Sequence, residues 1–263
     1  MTVDPSREPT LVHPVWQRAT QRQCESEHFL RWCEKFDVKP AMHRKLWEHV
    51  YIMRCLEEAD MLGAGKRGLG FGVGKEQLVR TLVRHNCDIV ATDYAAKGWS
   101  NWHASSLADL GVEEYAHRVE LRQIDMREVP EDLRQGEFDF VWSSCAMKHL
   151  GSIPAGFDFV RASLQCLKPG GVAVHTTELC TSSNDKTLDK GGTVLYRARD
   201  MHEFFDELYA AGHDVSLNMT PGTGPCDIGI VSQFQKTDFH LNVKIQNQPF
   251  VTTSFGLYVR KPL

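Results

Sequence analysis

Between residues 66 and 178 the sequence alternates short apolar runs with amphipathic stretches, and this alternation constrains the fold more than any other feature. Four runs have the length and composition of strands, at residues 66–71, 87–93, 118–125 and 138–143. Helical spacing is clearest at residues 153–167, where apolar side chains recur every three or four positions. Strands that alternate with helices predict βαβ units, so we expect an α/β fold with a mainly parallel sheet covered on both faces.

The N-terminal region has weaker patterns. Residues 1–14 are polar and contain proline, which is typical of a tail. Residues 15–36 have a helix-permissive composition, and residues 42–56 carry apolar side chains at helical spacing. We therefore expect two helices before the first strand of the alternating unit.

The C-terminal region begins with a predicted strand at residues 172–178. Residues 200–212 have the pattern of a last helix, and residues 213–219 and 253–261 that of two closing strands. Between these strands, residues 220–250 are irregular and rich in glycine, proline and polar side chains. A stretch of this length is either a disordered insertion or a loop that shapes a substrate site.

Composition narrows the class of protein. The 263 residues carry a formal net charge of −4, so no nucleic-acid partner is expected. No apolar run approaches the roughly 20 residues of a membrane span, and the N-terminus lacks the apolar core of a signal peptide. Eight cysteines occur without a C-x-x-C pair, which predicts reduced, mostly buried thiols. These features predict a cytoplasmic protein without membrane contact and set no oligomeric state.

The stretch GLGFGVG, residues 68–74, places four glycines at alternate positions after the first strand. Glycine leaves no side chain between backbone and ligand, although a tight turn without a ligand gives the same pattern. Asp93 ends the next strand, where a carboxylate can accept hydrogen bonds from both hydroxyls of a ribose. Asp125 ends the third strand, within reach of an adenine amine. Glycines and two acids on three successive strand ends predict a nucleoside pocket.

The spacing G-x-G-x-G differs from the G-x-G-x-x-G of dinucleotide sites, which disfavours NAD. Here the sequence resembles the class I S-adenosylmethionine-dependent methyltransferases. The motifs that carry the resemblance occur in the family's order: GLGFGVG (68–74), ATD (91–93), IDM (124–126), FDFVWSSCAMKHLG (138–151) and LKPGGVAVHTTE (167–178).

The resemblance implies a three-layer Rossmann-like sandwich with a seven-stranded, mostly parallel sheet whose last strand, at residues 252–259, is antiparallel. It implies an N-terminal tail and helical lid at residues 1–62. The methyltransferase domain then covers residues 63–263 and contains the substrate-side insertion at 220–250. Within the lid, the side chains that could complete the site are His43, Arg44 and Trp47.

The resemblance also assigns the contacts of the cofactor, S-adenosyl-L-methionine. Gly70 and Gly72 approach its amino-acid end, and Asp93 holds the ribose. Asp125 and the Met126 backbone hold the adenine. A last contact comes from Ser143 at the fourth strand end, which flanks the sulfonium.

Two positions depart from the family's pattern. The family usually has an acid where Gly68 stands, and that acid helps to anchor the ammonium group of the cofactor. Glu commonly stands where this chain has Lys148. The first departure leaves open what anchors the cofactor's ammonium.

Two side chains are candidates for chemistry on the methyl acceptor. His149, just after the fourth strand, is a candidate general base, with a packed or helix-capping histidine as the alternative. Glu178, at the end of the fifth strand, either binds acceptor hydroxyls or meets solvent. His240 in the insertion is interpreted as structural or exposed, and His175 inside the fifth strand as a core histidine.

Three further features have structural interpretations. Asp125, His149 and Glu178 could converge on a metal, but no local spacing supports one, so no metal is predicted. Cys145 has no basic neighbour in sequence and is interpreted as a buried thiol. Residues 99 and 102, both tryptophans, are interpreted as packing at the sheet's edge, with a place beside adenosine as the alternative.

The predicted function is S-adenosylmethionine-dependent methylation, and the predicted acceptor is a hydroxylated small molecule or a glycan. The polar segment at residues 180–196 motivates this acceptor, because it can form hydrogen bonds with hydroxyl groups. The alternative is a non-catalytic protein that binds an adenosyl ligand as a partner or regulatory subunit. Gly68, in place of the acid, is the feature that favours this alternative.

Overall fold

The computed structural model describes residues 7–94, 104–235, 237 and 239–263. The strands of this part of the chain are β1 (Trp16–Arg18), β2 (Met42–His43), β3 (Arg67–Phe71), β4 (Asp88–Asp93), β5 (Val119–Gln123), β6 (Phe138–Ser143), β7 (Leu167–Cys180), β8 (Leu217–Asn218), β9 (Ile230–Ser232), β10 (Phe239–His240), β11 (Asn242–Lys244) and β12 (Val251–Arg260). The α-helices are α1 (Gln21–Cys24), α2 (Glu27–Phe36), α3 (Arg44–Glu58), α4 (Gln77–Arg84), α5 (Leu107–Leu110), α6 (Ile153–Gln165), α7 (Ala198–Ala210) and α8 (Pro225–Ile228). Short 3-10 helices lie at Glu113–Arg118, Glu131–Leu133 and Met147–His149.

The main sheet has the order β5-β4-β3-β6-β7-β12-β1-β8. The strands from β5 to β7 are parallel, whereas β12 runs antiparallel to β7. The predicted Rossmann-like sheet with an antiparallel last strand is therefore confirmed. Within the described residues the sheet has ten strands where seven were expected, because the short strands β1, β9 and β11 are added to it.

The strand β1 corrects the sequence prediction for the N-terminal region. Residues 16–18 were expected to be helical, but they form a strand between β12 and β8. The Trp16 side chain is fully buried, and its Nε1 donates to the Tyr258 carbonyl at 2.9 Å. These tertiary contacts override the local helix propensity. The strand expected at 213–219 is reduced to β8, which reaches the sheet only through β1.

Helices cover both faces of the sheet, which completes the predicted three layers. On one face α2, α3 and α4 share a hydrophobic cluster with Phe140 and Trp142 of β6. On the other face α6 and α7 pack in a second cluster that includes Val141 of the same strand. The N-terminal helices thus form part of the layer that covers the sheet, with Trp47 of α3 fully buried. A domain division near residue 62 stays a prediction.

The insertion at 220–250 contains α8 and three short strands. Within it, β11 pairs antiparallel with β12, and β10 pairs with β2 before α3. These pairings attach the insertion both to the last strand of the sheet and to the N-terminal region. The pairings show an ordered segment where the structure describes it, and its role in shaping a substrate site stays a prediction.

Three other expectations concern the chain as a whole. Seven of the eight cysteines are buried, Cys226 is partly buried, and all are free thiols, as expected. Within the described residues, no helix is long and apolar enough to cross a membrane. The tryptophans at 99 and 102 lie outside the described residues.

Candidate active site

The carboxyl ends of the parallel strands meet at one edge of the sheet, where this class of fold binds ligands. After β3 the chain makes a turn in which Gly72 and Gly74 have positive φ values of 59° and 53°. A Cβ atom on Gly72 would lie 2.9 Å from Ala146 Cβ and 3.2 Å from Met126 Sδ. Glycine is therefore required here both by the backbone conformation and by the close neighbours.

The glycines inside β3 are explained by packing against β6. A Cβ atom on Gly70 would lie 2.4 Å from Trp142 Cζ2, and one on Gly68 would lie 2.3 Å from the Phe140 ring. The Gly70 carbonyl accepts a hydrogen bond from Thr92 Oγ1 at 2.8 Å. The space that the family's acid would occupy at residue 68 is therefore filled by Phe140.

The Asp93 carboxylate lies at the end of β4 and is 8% exposed. Its Oδ2 accepts from the backbone N–H groups of Gly74 at 3.1 Å and Ala104 at 2.9 Å, and its Oδ1 from that of Tyr94 at 2.8 Å. Asp93 thus ties the glycine turn to the end of β4. A carboxylate has about four acceptor positions, and N–H groups of the described residues take three of them.

Asp125 lies two residues beyond β5, and its neighbour Arg127 occupies both of its oxygens. The Arg127 guanidinium donates to Oδ1 and Oδ2, and the Arg127 backbone N–H donates to Oδ1 at 2.9 Å. These hydrogen bonds lower the pKa of Asp125. The side chain of Met126 is buried beside Gly72, so Met126 forms a wall of the space above the turn.

Ser143 ends β6, but its side chain points into the core. Its Oγ lies 2.8 Å from His175 Nδ1, and His175 Nε2 lies 3.0 Å from Ser163 Oγ. Burial lowers the pKa of His175 to about 3, so the imidazole is neutral. His175 is therefore the satisfied core histidine that the sequence predicted, and the hydroxyl of Ser143 is engaged by it.

Glu178, near the end of β7, is 1% exposed and paired with two cations. Its Oε1 accepts from Lys148 Nζ and lies 2.8 Å from Arg44 Nη1. Burial by itself raises the pKa of Glu178, but the charges of Lys148 and Arg44 lower it to about 2. At neutral pH Glu178 is therefore an ion and a weak base, so the structure favours a positioning role over a general base.

A second buried carboxylate, that of Glu48 on α3, joins the same group. Its oxygens lie 3.4 Å from Lys45 Nζ and 3.6 Å from Arg44 Nη1. It accepts hydrogen bonds from Thr176 Oγ1 at 3.1 Å and from Ser254 Oγ. We call these side chains the charged cluster: Arg44, Lys45, Glu48, Lys148 and Glu178.

Cys145 follows β6 in a left-handed conformation, with φ of 52°. Its thiol donates to Glu178 Oε1 at 3.8 Å. It also lies beside Arg44 and Lys45, whose pKa values it helps to raise against the lowering effect of burial. The prediction that Cys145 is a buried thiol is confirmed. The cations beside it come from a helix about 100 residues away in the chain.

His149 ends the 3-10 helix that follows β6, and its Nδ1 lies 2.7 Å from the carbonyl oxygen of Gly192. A carbonyl can only accept, so Nδ1 carries the proton and Nε2 carries the lone pair of a neutral ring. Burial lowers the pKa of His149, the Gly192 carbonyl and Glu178 oppose this shift, and the charges of Lys148 and Lys45 lower the pKa further. His149 is thus a neutral imidazole in the electrostatic field of the charged cluster.

The two histidines outside the parallel strands stack on each other. The rings of His43 and His240 have centroids 4.7 Å apart and an interplanar angle of 7°. Burial, then His240 and Arg44, lower the pKa of His43 to about 4. His240 therefore has a structural role here, and it brings the insertion next to the start of α3.

Two predictions concern Trp47, the remaining side chain of the expected lid, and the possibility of a metal site. Trp47 is fully buried, and its Nε1 donates to Gln23 Oε1 at 2.7 Å, so it packs in the core. Among the described residues, no three His, Cys, Asp or Glu side chains are grouped so that they could hold a metal ion.

The chain was compared with known proteins. Residues 69–175 match the family described as a methyltransferase domain, from the middle of β3 into β7. No curated protein matches the chain in a sequence comparison.

Solved methyltransferase structures are similar at low sequence identity. A putative sarcosine dimethylglycine methyltransferase from Galdieria sulphuraria is 15% identical with a TM-score of 0.51, covering 90% of this chain and 99% of that one. A putative methyltransferase from Bacillus halodurans is 14% identical with a TM-score of 0.49, covering 81% and 99%. Phosphoethanolamine N-methyltransferase 2 from Haemonchus contortus, solved with S-adenosyl-L-methionine, is 18% identical with a TM-score of 0.46. That match covers 72% of this chain and 41% of the Haemonchus protein, so this chain spans less than half of it.

The sheet order and the glycine turn define a Rossmann-like α/β fold, a class that binds ligands at the carboxyl edge of the sheet. Within this fold, residues 69–175 are similar to the methyltransferase-domain family.

Proposed function

We propose that the protein transfers a methyl group from S-adenosylmethionine to a hydroxyl group of a small molecule or a glycan. The observation that carries the choice of a hydroxyl acceptor is the state of His149. Its ring is neutral with Nδ1 protonated, so Nε2 can accept the proton that a hydroxyl loses. The cofactor part of the proposal rests on the family match over residues 69–175 and on the glycine turn.

The residues at the strand ends fit the cofactor. The bare backbone at Gly72, walled by Met126 and Ala146, is a cradle that any Cβ atom would fill. In our proposal Gly70 and Gly72 approach the amino-acid end, and Asp93 accepts a hydrogen bond from the ribose. The adenine and sulfonium contacts are proposed for Asp125, Met126 and Ser143.

The side chains at two of these positions already have partners. The Asp125 oxygens are held by Arg127 and the Ser143 hydroxyl by His175, so in our proposal the contacts at these positions come from main-chain groups. Residue 68 supplies no carboxylate, because Phe140 fills its side-chain space. The cofactor's ammonium must therefore be held by groups other than residue 68.

When bound, the cofactor supplies an electrophilic methyl group that is open to attack opposite its bond to sulfur, so the protein mainly positions the acceptor. His149 Nε2 takes the acceptor's proton as the new oxygen–carbon bond forms. The Gly192 carbonyl fixes the ring through Nδ1, and it stabilises the imidazolium that results. Glu178, with its low pKa, holds Arg44 and Lys148 in place rather than taking the proton.

The alternative function is that of a non-catalytic protein that binds an adenosyl ligand. The specific observation in its favour is the filled space at Gly68, which removes the usual anchor of the cofactor. Both functions require the cofactor pocket, and catalysis alone requires the acceptor side. They are therefore separated by turnover and not by binding.

The test has two stages. Calorimetry should show S-adenosylmethionine or S-adenosylhomocysteine binding in the micromolar range, about −8 kcal/mol, without competition by NADH. Radiolabelled S-adenosylmethionine is then incubated with a panel of hydroxylated small molecules and sugars, and product formation is measured. Binding of NADH without any adenosyl ligand contradicts both functions, and adenosyl binding without turnover across the panel favours the alternative.

A further inference from the structure

The charged cluster carries an excess of positive charge. It contains three cationic side chains and two carboxylates, and two of the cations, Arg44 and Lys148, are at most 10% exposed. A buried charge without a partner is costly, so an excess of this kind calls for an anion.

Arg44 also has unused hydrogen-bond donors. Its Nε and Nη1 atoms are buried and have no hydrogen-bond partner, although Nη1 lies 2.8 Å from Glu178 Oε1. The contact between Arg44 and Glu178 is thus an ion pair whose angles do not satisfy those of a hydrogen bond. Buried guanidinium donors are normally satisfied, and a planar carboxylate or phosphate group is the acceptor that matches their geometry.

The cluster is reached from solvent at Lys45. This side chain is 39% exposed, although its ammonium lies 3.4 Å from the fully buried Glu48. Its charge and that of Lys148 are among those that lower the pKa of His149. The charges of Lys45 and Lys148 therefore act on the proposed base.

We propose that this cluster binds an anionic group of the methyl acceptor, a carboxylate or a phosphate, through Arg44, Lys45 and Lys148. The inference rests on the proposed methyl transfer, because it names the class of acceptor for the same site. Glu178 and Ser254 place the cluster over β7 and β12, whereas the glycine turn follows β3, two strands from β7. This position, and the contact of His240 with His43 before Arg44, favour the acceptor. The affinity for S-adenosylhomocysteine in Lys45→Gln distinguishes this site from one for the cofactor's own carboxylate.

The first experiment uses simple anions as probes. Sodium acetate and inorganic phosphate are titrated at constant ionic strength into the protein saturated with S-adenosylhomocysteine, with calorimetry as the readout. We expect one of the two to bind, and Lys45→Gln to weaken that binding at least about tenfold. Lys168→Gln, a change of a 44% exposed lysine at the opposite end of β7 from Glu178, should leave it unchanged. A melting curve checks that each variant is folded.

The second experiment uses acceptors in matched pairs: glucuronate with glucose, glucose 6-phosphate with glucose, and 4-hydroxybenzoate with 4-hydroxybenzamide. We expect the anionic member to have a kcat/KM at least about tenfold higher, and the preference to be lost in Lys45→Gln. The sugar acid and the phosphate ester separate a carboxylate acceptor from a phosphate acceptor.

Three results overturn the inference. One is equal anion affinity in the wild type and Lys45→Gln, which decides the case even when no acceptor is turned over. Another is equal turnover of both members of every pair. The third is a tenfold loss of S-adenosylhomocysteine affinity in Lys45→Gln, which assigns the anion site to the cofactor. Failure of the wild type to bind S-adenosylhomocysteine at all contradicts the proposed function instead, and is measured before any anion is added.

Discussion

The two halves of the carboxyl edge of the sheet, where ligands bind, present different chemical groups. At the ends of β3 and β4 the groups facing the pocket are glycine backbone and one carboxylate, Asp93, that three backbone N–H groups already hold. At the ends of β6 and β7 they are charged side chains in mutual contact. The comparison teaches that backbone geometry determines the shape of the cofactor half, whereas charged side chains determine the properties of the acceptor half. Substitutions in the two halves should therefore affect different measured quantities.

The largest effect is expected for His149→Gln in the acceptor half. Loss of a general base should lower kcat by roughly 10²–10⁴-fold, while S-adenosylhomocysteine affinity stays unchanged. Because the pKa of His149 is lowered, the acid limb of the wild-type pH–rate profile should lie below pH 6.5 and disappear in the variant.

A matched control exists for this variant. His202 on α7 makes the same kind of bond, from Nδ1 to the Ala198 carbonyl at 2.8 Å, but is exposed. His202→Gln should keep full turnover. If His149→Gln lowers the melting temperature and leaves kcat of the folded enzyme intact, His149 is a packing residue instead.

Glu178→Gln should have the next largest effect, and it should act on stability. The change leaves Arg44 and Lys148 buried without their shared anion, which is expected to lower the free energy of unfolding by about 3–5 kcal/mol. Chemical denaturation measures this value. The control is Glu207→Gln, which breaks an ion pair with Arg161. The Glu207 side chain is 47% exposed, so this change should lower the free energy of unfolding by less than about 1 kcal/mol. Equal costs would show that the cluster is not an electrostatic unit.

The same pair of proteins gives a pH test. The pKa of Glu178 is lowered to about 2, so its stabilising contribution is present above its ordinary value of 4.5 and is lost as pH falls towards 2. The stability difference between wild type and Glu178→Gln should therefore be constant above pH 5 and shrink below pH 4.5. A difference that stays constant down to pH 2 would contradict the ion pairing.

Asp93→Asn tests the cofactor half and should have a smaller effect. One carboxylate oxygen becomes an amide that cannot accept, so a backbone donor or the ribose loses a charge-assisted partner at a cost of about 1.5–3 kcal/mol. S-adenosylhomocysteine affinity should fall at least tenfold, as calorimetry would detect. Asp88→Asn at the opposite end of β4 is the control, because its carboxylate is 54% exposed. An unchanged affinity in Asp93→Asn would place the ribose elsewhere.

Gly68→Ala should have the smallest effect of the set. Its methyl group would lie 2.3 Å from the Phe140 ring, which predicts a loss of about 1–3 kcal/mol by overpacking. The double variant with Phe140→Leu should recover part of this loss, while Gly192→Ala, which meets nothing within 4 Å, should be neutral. Thermal melts compare the three. Full tolerance of Gly68→Ala would mean that packing does not explain this glycine.

The cofactor half was predictable from the sequence because its signals are local. The strands at Phe138–Ser143 and Arg67–Phe71 follow from short apolar runs, and the turn at Gly72 follows from glycine spacing. What the sequence could not show is which hydrogen-bond partners already occupy the two carboxylates. That Asp93 is held by the Ala104 N–H, and Asp125 by Arg127, depends on the fold of the loops around them.

The acceptor half was predictable only in part. Glu178, Lys148 and Arg44 were each noticed separately, but no pattern links residues 44, 148 and 178 before the chain is folded. The same reason explains why Cys145 was assigned no basic neighbour. Trp16–Arg18 was missed as a strand because a three-residue strand has no detectable period, and its partner Gly256 is 239 positions from Gln17.

That strand has a consequence for how the chain is made. Gln17 of β1 leaves the ribosome 239 residues before its partner Gly256 in β12. At the usual 5–20 residues per second, Gln17 waits on the order of 10–50 seconds for Gly256. The strands β3 to β7 are synthesised during this interval, whereas the pairing of β1 with β12 requires the translation of β12. The order of synthesis thus delays the pairing of β1 until after the parallel strands have left the ribosome.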